Sequence, residues 1–272
     1  MRIGNRVFDT AHRTYIMGIL NVTPDSFSDG GRFFQPDQAL FHTEKMIADG
    51  ADLIDIGGES TRPGYQVISD EEEIARILPV LEAVKKRFDI PVSVDTCKGS
   101  VAKAALQAGA DLINDIWGFK HDPAVAELTA EYHAACCLMH NRSKAVYRNF
   151  QEELLSDLEE SVRIARKAGV PDDKILLDPG IGFGKTLEMN LEAIHHVDLL
   201  HRLGFPILLG TSRKSVIGLT LNLPVDQRVE GTIATSVIGV IRGCAFVRVH
   251  DVLENCRAIR MAEAILGRKK HG

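Results

Sequence analysis

The stretch PVSVDTCKGSVAKAALQAGADLIND, residues 91–115, contains one complete strand–helix–strand unit. Pro91–Val94 is a short apolar run, and Ser100–Ala108 spaces its apolar residues three and four apart, as one face of a helix does. A second short run, Asp111–Ile113, follows. Two buried strands joined by a helix predict a parallel pair with a crossover helix.

The same unit recurs along the whole chain, which predicts a (β/α)8 TIM barrel in a single domain, residues 1–272. The predicted strands are Tyr15–Leu20, Leu53–Ile56, Pro91–Val94, Asp111–Ile113, Ala135–Met139, Ile175–Leu177, Phe205–Leu209 and Ala245–Val249. The predicted helices are Ala39–Ala48, Asp70–Phe88, Ser100–Ala108, Pro123–Tyr132, Leu154–Ala168, Leu187–Leu203, Arg228–Ile241 and Val252–Leu266. An open doubly wound sheet is the alternative fold, but it usually has a Gly-x-Gly-x-x-Gly turn after its first strand, and Ile19–Thr23 has none.

The residues before the first barrel strand have a pattern of their own. Gly4 and Asn5 are turn residues inside the segment Ile3–Phe8. We therefore expect a short N-terminal hairpin that caps the lower end of the barrel.

Composition narrows the classes of function. The net charge is −5 and the pI is about 6.1, whereas nucleic-acid-binding domains usually have a pI above ~9, so we expect no nucleic-acid partner. The five cysteines include no Cys-x-x-Cys pair of the kind that binds zinc. Neither a signal peptide nor a run of ~18 apolar residues is present, so we expect a cytoplasmic protein without a membrane partner.

A polar residue follows each of the eight predicted strands. In order these are Asn21, Asp55, Asp95, Asn114 with Asp115, His140, Asp178, Thr211 with Ser212, and His250. Because barrel enzymes carry their active sites at the C-terminal ends of the strands, we expect these side chains to meet around one mouth. Any one of them could instead begin a turn or cap a helix, and Asp55 and Asp115 also fit structural roles.

Three loops and one strand suit anions. GESTRPG, residues 58–64, combines glycines, hydroxyl groups and an arginine, and GTSRKS, residues 210–215, leads into a helix whose N-terminus would attract a carboxylate or phosphate. DPGIGFGKT, residues 178–186, resembles a phosphate-binding P-loop, but that motif requires Gly at position 179, which is Pro. In the last strand, burying Arg248 unpaired against the helices would be costly, so we expect it to project into the mouth beside His250.

Several segments together resemble the dihydropteroate synthase family. They are GILNVTPDSFSDGG (18–31), DIGGESTRPG (55–64), VSVDT (92–96), INDIWG (113–118), LMH (138–140), DPGIGFGK (178–185), GTSRKS (210–215) and RVHDV (248–252). They span nearly the whole chain in the family's order, whereas residues 141–150 match little that can be assigned.

The resemblance implies that the amine of 4-aminobenzoate displaces diphosphate from 6-hydroxymethyl-7,8-dihydropterin diphosphate, assisted by Mg²⁺. It implies catalytic roles for Asp95, Lys214 and Arg248, and pterin contacts from these three together with Asn114, Ile116, Met139 and Asp178. Diphosphate would be bound by Asn21, Thr61, Arg62, Arg248 and His250, with Asn21 as the protein ligand of Mg²⁺. The 4-aminobenzoate would contact Phe27, Pro63, Phe183, Ser212 and Lys214, with its carboxylate at Ser212 on the helix N-terminus.

Further expectations concern motion and assembly. Loops 23–34 and 60–68 would order over the diphosphate and exclude water. The family is commonly homodimeric. Two alternative functions remain at this point: a methyltetrahydrofolate-type methyltransferase that shares the pterin pocket, and a non-catalytic nucleotide-binding regulator that uses residues 180–186.

Overall fold

The computed structural model describes residues 1–22, 35–59 and 68–268, and within these ranges the chain forms an eight-stranded parallel barrel. The strands are β1 Arg2–Ile3, β2 Arg6–Val7, β3 Tyr15–Asn21, β4 Leu53–Gly57, β5 Val92–Asp95, β6 Leu112–Asp115, β7 Ala135–Met139, β8 Ile175–Asp178, β9 Leu208–Leu209 and β10 Phe246–Val249. The barrel strands lie in the order β8-β7-β6-β5-β4-β3-β10-β9. A bridge between Leu177 and Ile207 closes the ring. The predicted TIM barrel is confirmed.

Helices connect the strands and surround the barrel. They are α1 Gln35–Asp49, α2 Asp70–Arg87, α3 Gly99–Gln107, α4 Pro123–Glu131, α5 Phe150–Ala168, α6 Leu187–His195, α7 Ser215–Leu221, α8 Val229–Ile241 and α9 Val252–Ile265. None of the helices in the described ranges is both long and apolar enough to cross a membrane.

Several predicted boundaries were wrong, for identifiable reasons. The strand predicted at Phe205–Leu209 is shortened to β9, because Pro206 has no N–H to donate to a neighbouring strand. Only its carbonyl oxygen takes part, by accepting the Leu177 N–H at 3.0 Å. The helix predicted at Leu187–Leu203 ends at His195 and continues as a 3₁₀ helix over Val197–Leu203. Helix α5 starts four residues earlier than predicted because Asn149 caps it with a side-chain bond to the Glu152 N–H.

Helix α7 lies outside the helix ranges predicted from the sequence. It spans Ser215–Leu221 and ends at Asn222, which adopts a left-handed conformation with φ 54°. Asn tolerates this conformation better than most residues, which lets the chain turn into the following segment. The helix predicted from Arg228 begins at Val229 as α8.

The predicted N-terminal hairpin is confirmed and closes the lower end of the barrel. β1 and β2 pair antiparallel around Gly4 and Asn5. Ile3 and Phe8 are buried with the lower inward-facing residues of the barrel. The Phe8 ring lies 4.8 Å from Tyr15 and 5.3 Å from Phe246, centroid to centroid. Aromatic packing therefore joins the hairpin to the first and last barrel strands.

Candidate active site

Alternation along the strands decides which side chains enter the barrel. Leu53 and Phe246 belong to the interior cluster with the hairpin, so Asp55 and Arg248, each two residues further along, also point inward. The same period carries the inner row upward to the residues at the strand ends. That row, which faces the mouth, is Asn21, Gly57, Asp95, Asn114, Met139, Asp178 and Gly210.

A buried arginine with two carboxylate partners occupies the centre of this mouth. Arg248 donates from Nε to Asp55 Oδ2 at 2.6 Å and from Nη2 to Asp95 Oδ2 at 2.9 Å. Asn114 Nδ2 donates to the same Asp55 oxygen at 3.3 Å. The arginine therefore has the partners that its burial requires, and the predicted inward direction of its side chain is confirmed.

The turn after β8 forms the opposite wall. Asp178 Oδ1 accepts the Gly180 N–H at 2.7 Å, and a Cβ on Gly210 would lie 3.6 Å from Asp178 Oδ2 and 3.8 Å from Arg248 Cβ. Lys214 donates from Nζ to Ile181 O at 2.6 Å. Its ammonium also lies 4.9 Å from the centroid of the Phe183 ring, within the range of a cation–π contact.

Burial shifts the pKa values of the ionisable groups at this mouth. Desolvation raises the pKa of Asp95 against the opposing effect of Arg248, and it raises the pKa of Asp178 against the opposing effect of Lys214. Desolvation lowers the pKa of Lys214 to about 8, while Asp178 holds it up. Opposite charges therefore stabilise one another in a site where water is scarce.

Asn21 lies at the end of β3 beside the smallest residue of the neighbouring strand. A Cβ on Gly57 would lie 3.7 Å from Asn21 Oδ1 and 3.7 Å from Asp95 Cβ, so the glycine leaves room between these two side chains. Across the described ranges, no group of three or more His, Cys, Asp or Glu residues could hold a metal ion. A single amide oxygen still suits Mg²⁺, which keeps several waters and takes further ligands from phosphates.

Ser212 does not lie where the sequence predicted. Helix α7 begins at Ser215 after Lys214 as the N-cap residue, so Ser212 precedes the helix N-terminus by three residues. Ser212 is buried, and its hydroxyl accepts the His250 N–H at 3.1 Å and lies 2.9 Å from His250 Nδ1. The exposed hydroxyl at the start of the helix belongs to Ser215. The predicted placement of Ser212 at the helix N-terminus was wrong.

Two of the predicted apolar wall residues lie at the ends of barrel strands. Met139 ends β7 on its inner face, and Ile116 follows β6 directly. Both are buried, and Phe183 is half-buried beside Lys214.

The remaining predicted contacts fall outside the described ranges. These residues are Phe27, Thr61, Arg62 and Pro63, together with the loops 23–34 and 60–67. The predictions for them stay predictions.

Two residues near the mouth make contacts that were not predicted from the sequence. Asp55 was given a possible structural role, yet it is fully buried and bonds Arg248; its position two residues after Leu53 on the inner face was the signal. Lys185 was included in the P-loop-like segment 178–186 and in the family segment DPGIGFGK, without a role of its own. By contrast Asp115 is structural, because it points outward and accepts the N–H groups of Trp117 and Phe119 at 2.7 and 2.9 Å.

Comparisons with known proteins agree with one another. The model of the pterin binding enzyme family matches residues 17–250. A dihydropteroate synthase of Clostridium beijerinckii is 60% identical over 269 residues, which cover 98% of this chain and 100% of the relative. The crystal structure of a Clostridium difficile dihydropteroate synthase in the presence of pteroic acid has a TM-score of 0.94 at 49% identity, covering 97% of this chain and 100% of that one. A Xanthomonas albilineans dihydropteroate synthase with 4-aminobenzoic acid has a TM-score of 0.89 at 40% identity, covering 93% of each chain.

Proposed function

The chain belongs to the pterin-binding enzyme family and catalyses the dihydropteroate synthase reaction, and from this premise we propose how its residues carry that reaction out. The amine of 4-aminobenzoate replaces diphosphate on 6-hydroxymethyl-7,8-dihydropterin diphosphate, which gives dihydropteroate. The observation that supports the residue roles is the meeting of Asp95, Asp178, Lys214 and Arg248 in one buried mouth. The high identity to dihydropteroate synthases over nearly the full chain decides against methyl transfer and nucleotide regulation.

The pterin is recognised by groups that complement its polar edge. Its N–H donors meet Asp95, Asp178 and Asn114, which supply carboxylate and amide oxygens. Lys214 donates to the ring carbonyl and ring nitrogen, and Arg248 lies against the ring face. Ile116 and Met139 provide apolar walls. Analogues without the N–H donors bind poorly because these buried acceptors would remain unpaired.

Diphosphate departure develops negative charge, which preorganised donors stabilise. We assign these donors to Asn21, Thr61, Arg62, Arg248 and His250. Asn21 would hold Mg²⁺ through its amide oxygen, and the bound ion would supply positive charge to the phosphate oxygens.

The reaction proceeds by dissociation. The bond from the pterin methylene to the diphosphate oxygen breaks, and diphosphate leaves with the electron pair. Asp95, facing the pterin, stabilises the resulting cation. The 4-aminobenzoate nitrogen then forms the new C–N bond and loses a proton to solvent. No strong general base is needed, because an aromatic amine loses its proton readily once it is alkylated.

The 4-aminobenzoate lies on the outer side of the pterin. Its ring packs among Phe27, Pro63, Phe183 and the stem of Lys214. The family resemblance implies that Ser212 binds the carboxylate, but the Ser212 hydroxyl already bonds His250. Ser215 at the start of α7 is therefore a second candidate for binding the carboxylate. Single alanine variants of the two serines separate them.

The test of function supplies purified protein with the pterin diphosphate, 4-aminobenzoate and Mg²⁺. We expect dihydropteroate and diphosphate in equal amounts. A protein that binds both substrates but releases no diphosphate would contradict the proposal. Omission of Mg²⁺ with a chelator should lower kcat, and an unchanged kcat would remove the metal from the mechanism.

We further propose a homodimer that uses the outer faces of α8 and α9. These two helices pack against each other and leave large apolar side chains in solvent, with Ile241 57%, Met261 62% and Ile265 73% exposed. Large apolar side chains exposed on two neighbouring helices are consistent with an interface between subunits. Light scattering should give a molar mass twice the 29.9 kDa of one chain. The Ile265→Glu variant should have a molar mass closer to that of a single chain.

We also propose that the chain works as one domain in the cytoplasm. All five cysteines are free thiols in the structure, as is usual in a reducing compartment.

A further inference from the structure

A second lysine lies half-buried beside the mouth. Lys185 donates from Nζ to Gly180 O at 2.8 Å, to Phe183 O at 3.0 Å and to His140 Nδ1 at 2.8 Å. A lysine ammonium has three protons, so these contacts use all of them. Lys185 therefore binds the inside of the turn 180–184 at two points and a neighbouring strand end at a third.

His140 accepts this bond because its tautomer is fixed. The ring is fully buried, and desolvation lowers its pKa to about 4, so it is neutral at pH 7. Its Nε2 lies 3.1 Å from Asp157 Oδ2, and hydrogen bonds from His140 and Arg142 hold the pKa of Asp157 below its ordinary value although burial alone would raise it. The proton consequently sits on Nε2, and Nδ1 accepts from Lys185.

The far end of this chain of contacts is anchored on α5. Arg142 donates to the two oxygens of Asp157 at 2.6 and 3.1 Å, and its Nη1 donates to Glu153 at 2.8 Å. Asp157 and Glu153 both belong to α5. The neutral His140 ring therefore links Lys185 to the ion pairs that Asp157, Arg142 and Glu153 form with one another.

The backbone of the turn fits closely against the same segment. Gly180 and Gly184 have φ of +68° and +54°, and a Cβ on them would lie 1.9 Å from His140 O and 2.2 Å from Arg142 O. Tyr147 Oη donates to Gly184 O at 2.8 Å. Only glycine allows this approach, so the turn has little freedom on its lower side.

The upper side of the turn holds Lys214. Ile181 O accepts from the Lys214 ammonium, and the Phe183 ring lies 4.9 Å from it. A Cβ on Gly182 would be 3.5 Å from Lys214 Cδ. The turn therefore separates two lysines, of which Lys185 braces it and Lys214 faces the substrates.

We propose that Lys185 is a positioning residue that, through His140 and the turn 180–184, holds Lys214 and Phe183 in the geometry that receives 4-aminobenzoate. The substrate in this statement rests on the proposed function. We assign Lys185 no substrate contact, because its Nζ lies within hydrogen-bond distance of three protein acceptors. Most proposed pterin contacts, including those of Asp95 and Arg248, come from other strands, whereas Lys214 and Asp178 bond the turn. Loss of the Lys185 contacts should therefore disturb a smaller share of the contacts to the pterin than to 4-aminobenzoate, which meets Phe183 and the stem of Lys214.

The test compares Lys185→Met with Lys85→Met. Lys85 forms a 2.7 Å ion pair with Asp111 at the opposite end of the barrel, so its loss controls for a missing lysine contact. We expect Lys185→Met to raise the KM for 4-aminobenzoate about tenfold and the KM for the pterin diphosphate less than about threefold. The control should leave both KM values near those of the parent. Equal changes in the two KM values, or none, would overturn the proposal.

A second readout does not need catalysis. Acetylation of Lys214 by an amine reagent, followed by peptide mass spectrometry, should be about tenfold faster in Lys185→Met because Ile181 O no longer holds the ammonium. An unchanged labelling rate would refute the positioning role, whether or not the parent enzyme is active. Failure of the parent enzyme to make dihydropteroate would instead contradict the proposed function. If Lys185→Met fails to fold, Tyr147→Phe is the second variant, because it removes the hydrogen bond to Gly184 O in the same turn. It should raise the KM for 4-aminobenzoate about threefold, and an unchanged KM would also refute the positioning role of the turn.

Discussion

Replacing Asp55 with Asn tests the charge arrangement at the centre of the barrel. Asp55 is fully buried, and its Oδ2 receives Arg248 Nε at 2.6 Å and Asn114 Nδ2 at 3.3 Å. The amide has nearly the same shape but no charge. The variant therefore leaves a buried guanidinium with Asp95 as its remaining carboxylate partner.

The expected loss of stability follows from these contacts. Removing one partner of a buried ion pair costs about 3–5 kcal/mol, and the lower end applies because Asp95 still binds Arg248. For a domain of this size each kcal/mol lowers Tm by roughly 2–4 °C, so Asp55→Asn should lower Tm by roughly 6–12 °C. Circular dichroism melts at constant pH and salt measure this shift.

Asp95→Asn is the matched comparison, because Asp95 is the other partner of the same arginine. Burial raises the pKa of Asp95 in the folded protein, so above the pKa of the unfolded chain its ionised carboxylate reduces stability relative to a neutral group. Because this cost offsets part of its ion pair with Arg248, we expect Asp95→Asn to lower Tm less than Asp55→Asn does, while kcat/KM falls about 100-fold. The reasoning is refuted if the two variants lose equal Tm, or if Asp55→Asn melts with the parent.

Three further predictions concern the mouth and its turn. Because burial lowers the pKa of Lys214 to about 8 and its charged form donates to the pterin, kcat/KM should fall as pH rises through about 8, and Lys214→Arg should move this fall to higher pH; a profile flat to pH 10 would contradict it. Of the two serines, Ser215→Ala should raise the 4-aminobenzoate KM about tenfold and Ser212→Ala less, and the reverse order in steady-state kinetics would restore Ser212. Gly180→Ala should lower the free energy of urea unfolding by more than about 3 kcal/mol, because its Cβ would lie 1.9 Å from His140 O. Gly204 is also left-handed but has nothing within 4 Å of such a Cβ, so Gly204→Ala should lower it by about 1 kcal/mol. Equal losses in the two variants would show that the close contact at Gly180 is unimportant.

Periodicity was enough to predict the barrel, because buried strands and amphipathic helices alternate with few interruptions. It failed where backbone chemistry overrides pattern. The break between α6 and the following 3₁₀ helix lies within one apolar pattern, and the shortening of β9 depends on Pro206 and its partner across the ring. Such partners are distant in sequence, so spacing alone does not reveal them.

The sequence predicted which side chains reach the mouth, because the C-terminal ends of all the barrel strands lie on one face. What could not be predicted was how these side chains pair with one another. Arg248 lies 193 residues from Asp55, and nothing in either local sequence specifies that contact. Lys185 was missed because its role depends on the fold of a turn around it.

The hairpin beneath the barrel has a consequence for synthesis on the ribosome. Phe8 is translated long before its aromatic neighbour Phe246, and β3 is likewise translated long before β10, one of the two strands that pair with it. At ~5–20 residues per second, this interval lasts on the order of ten seconds or more. Throughout that time the nascent polypeptide exposes an unpaired strand edge and an uncovered apolar surface, which are the features that chaperones bind.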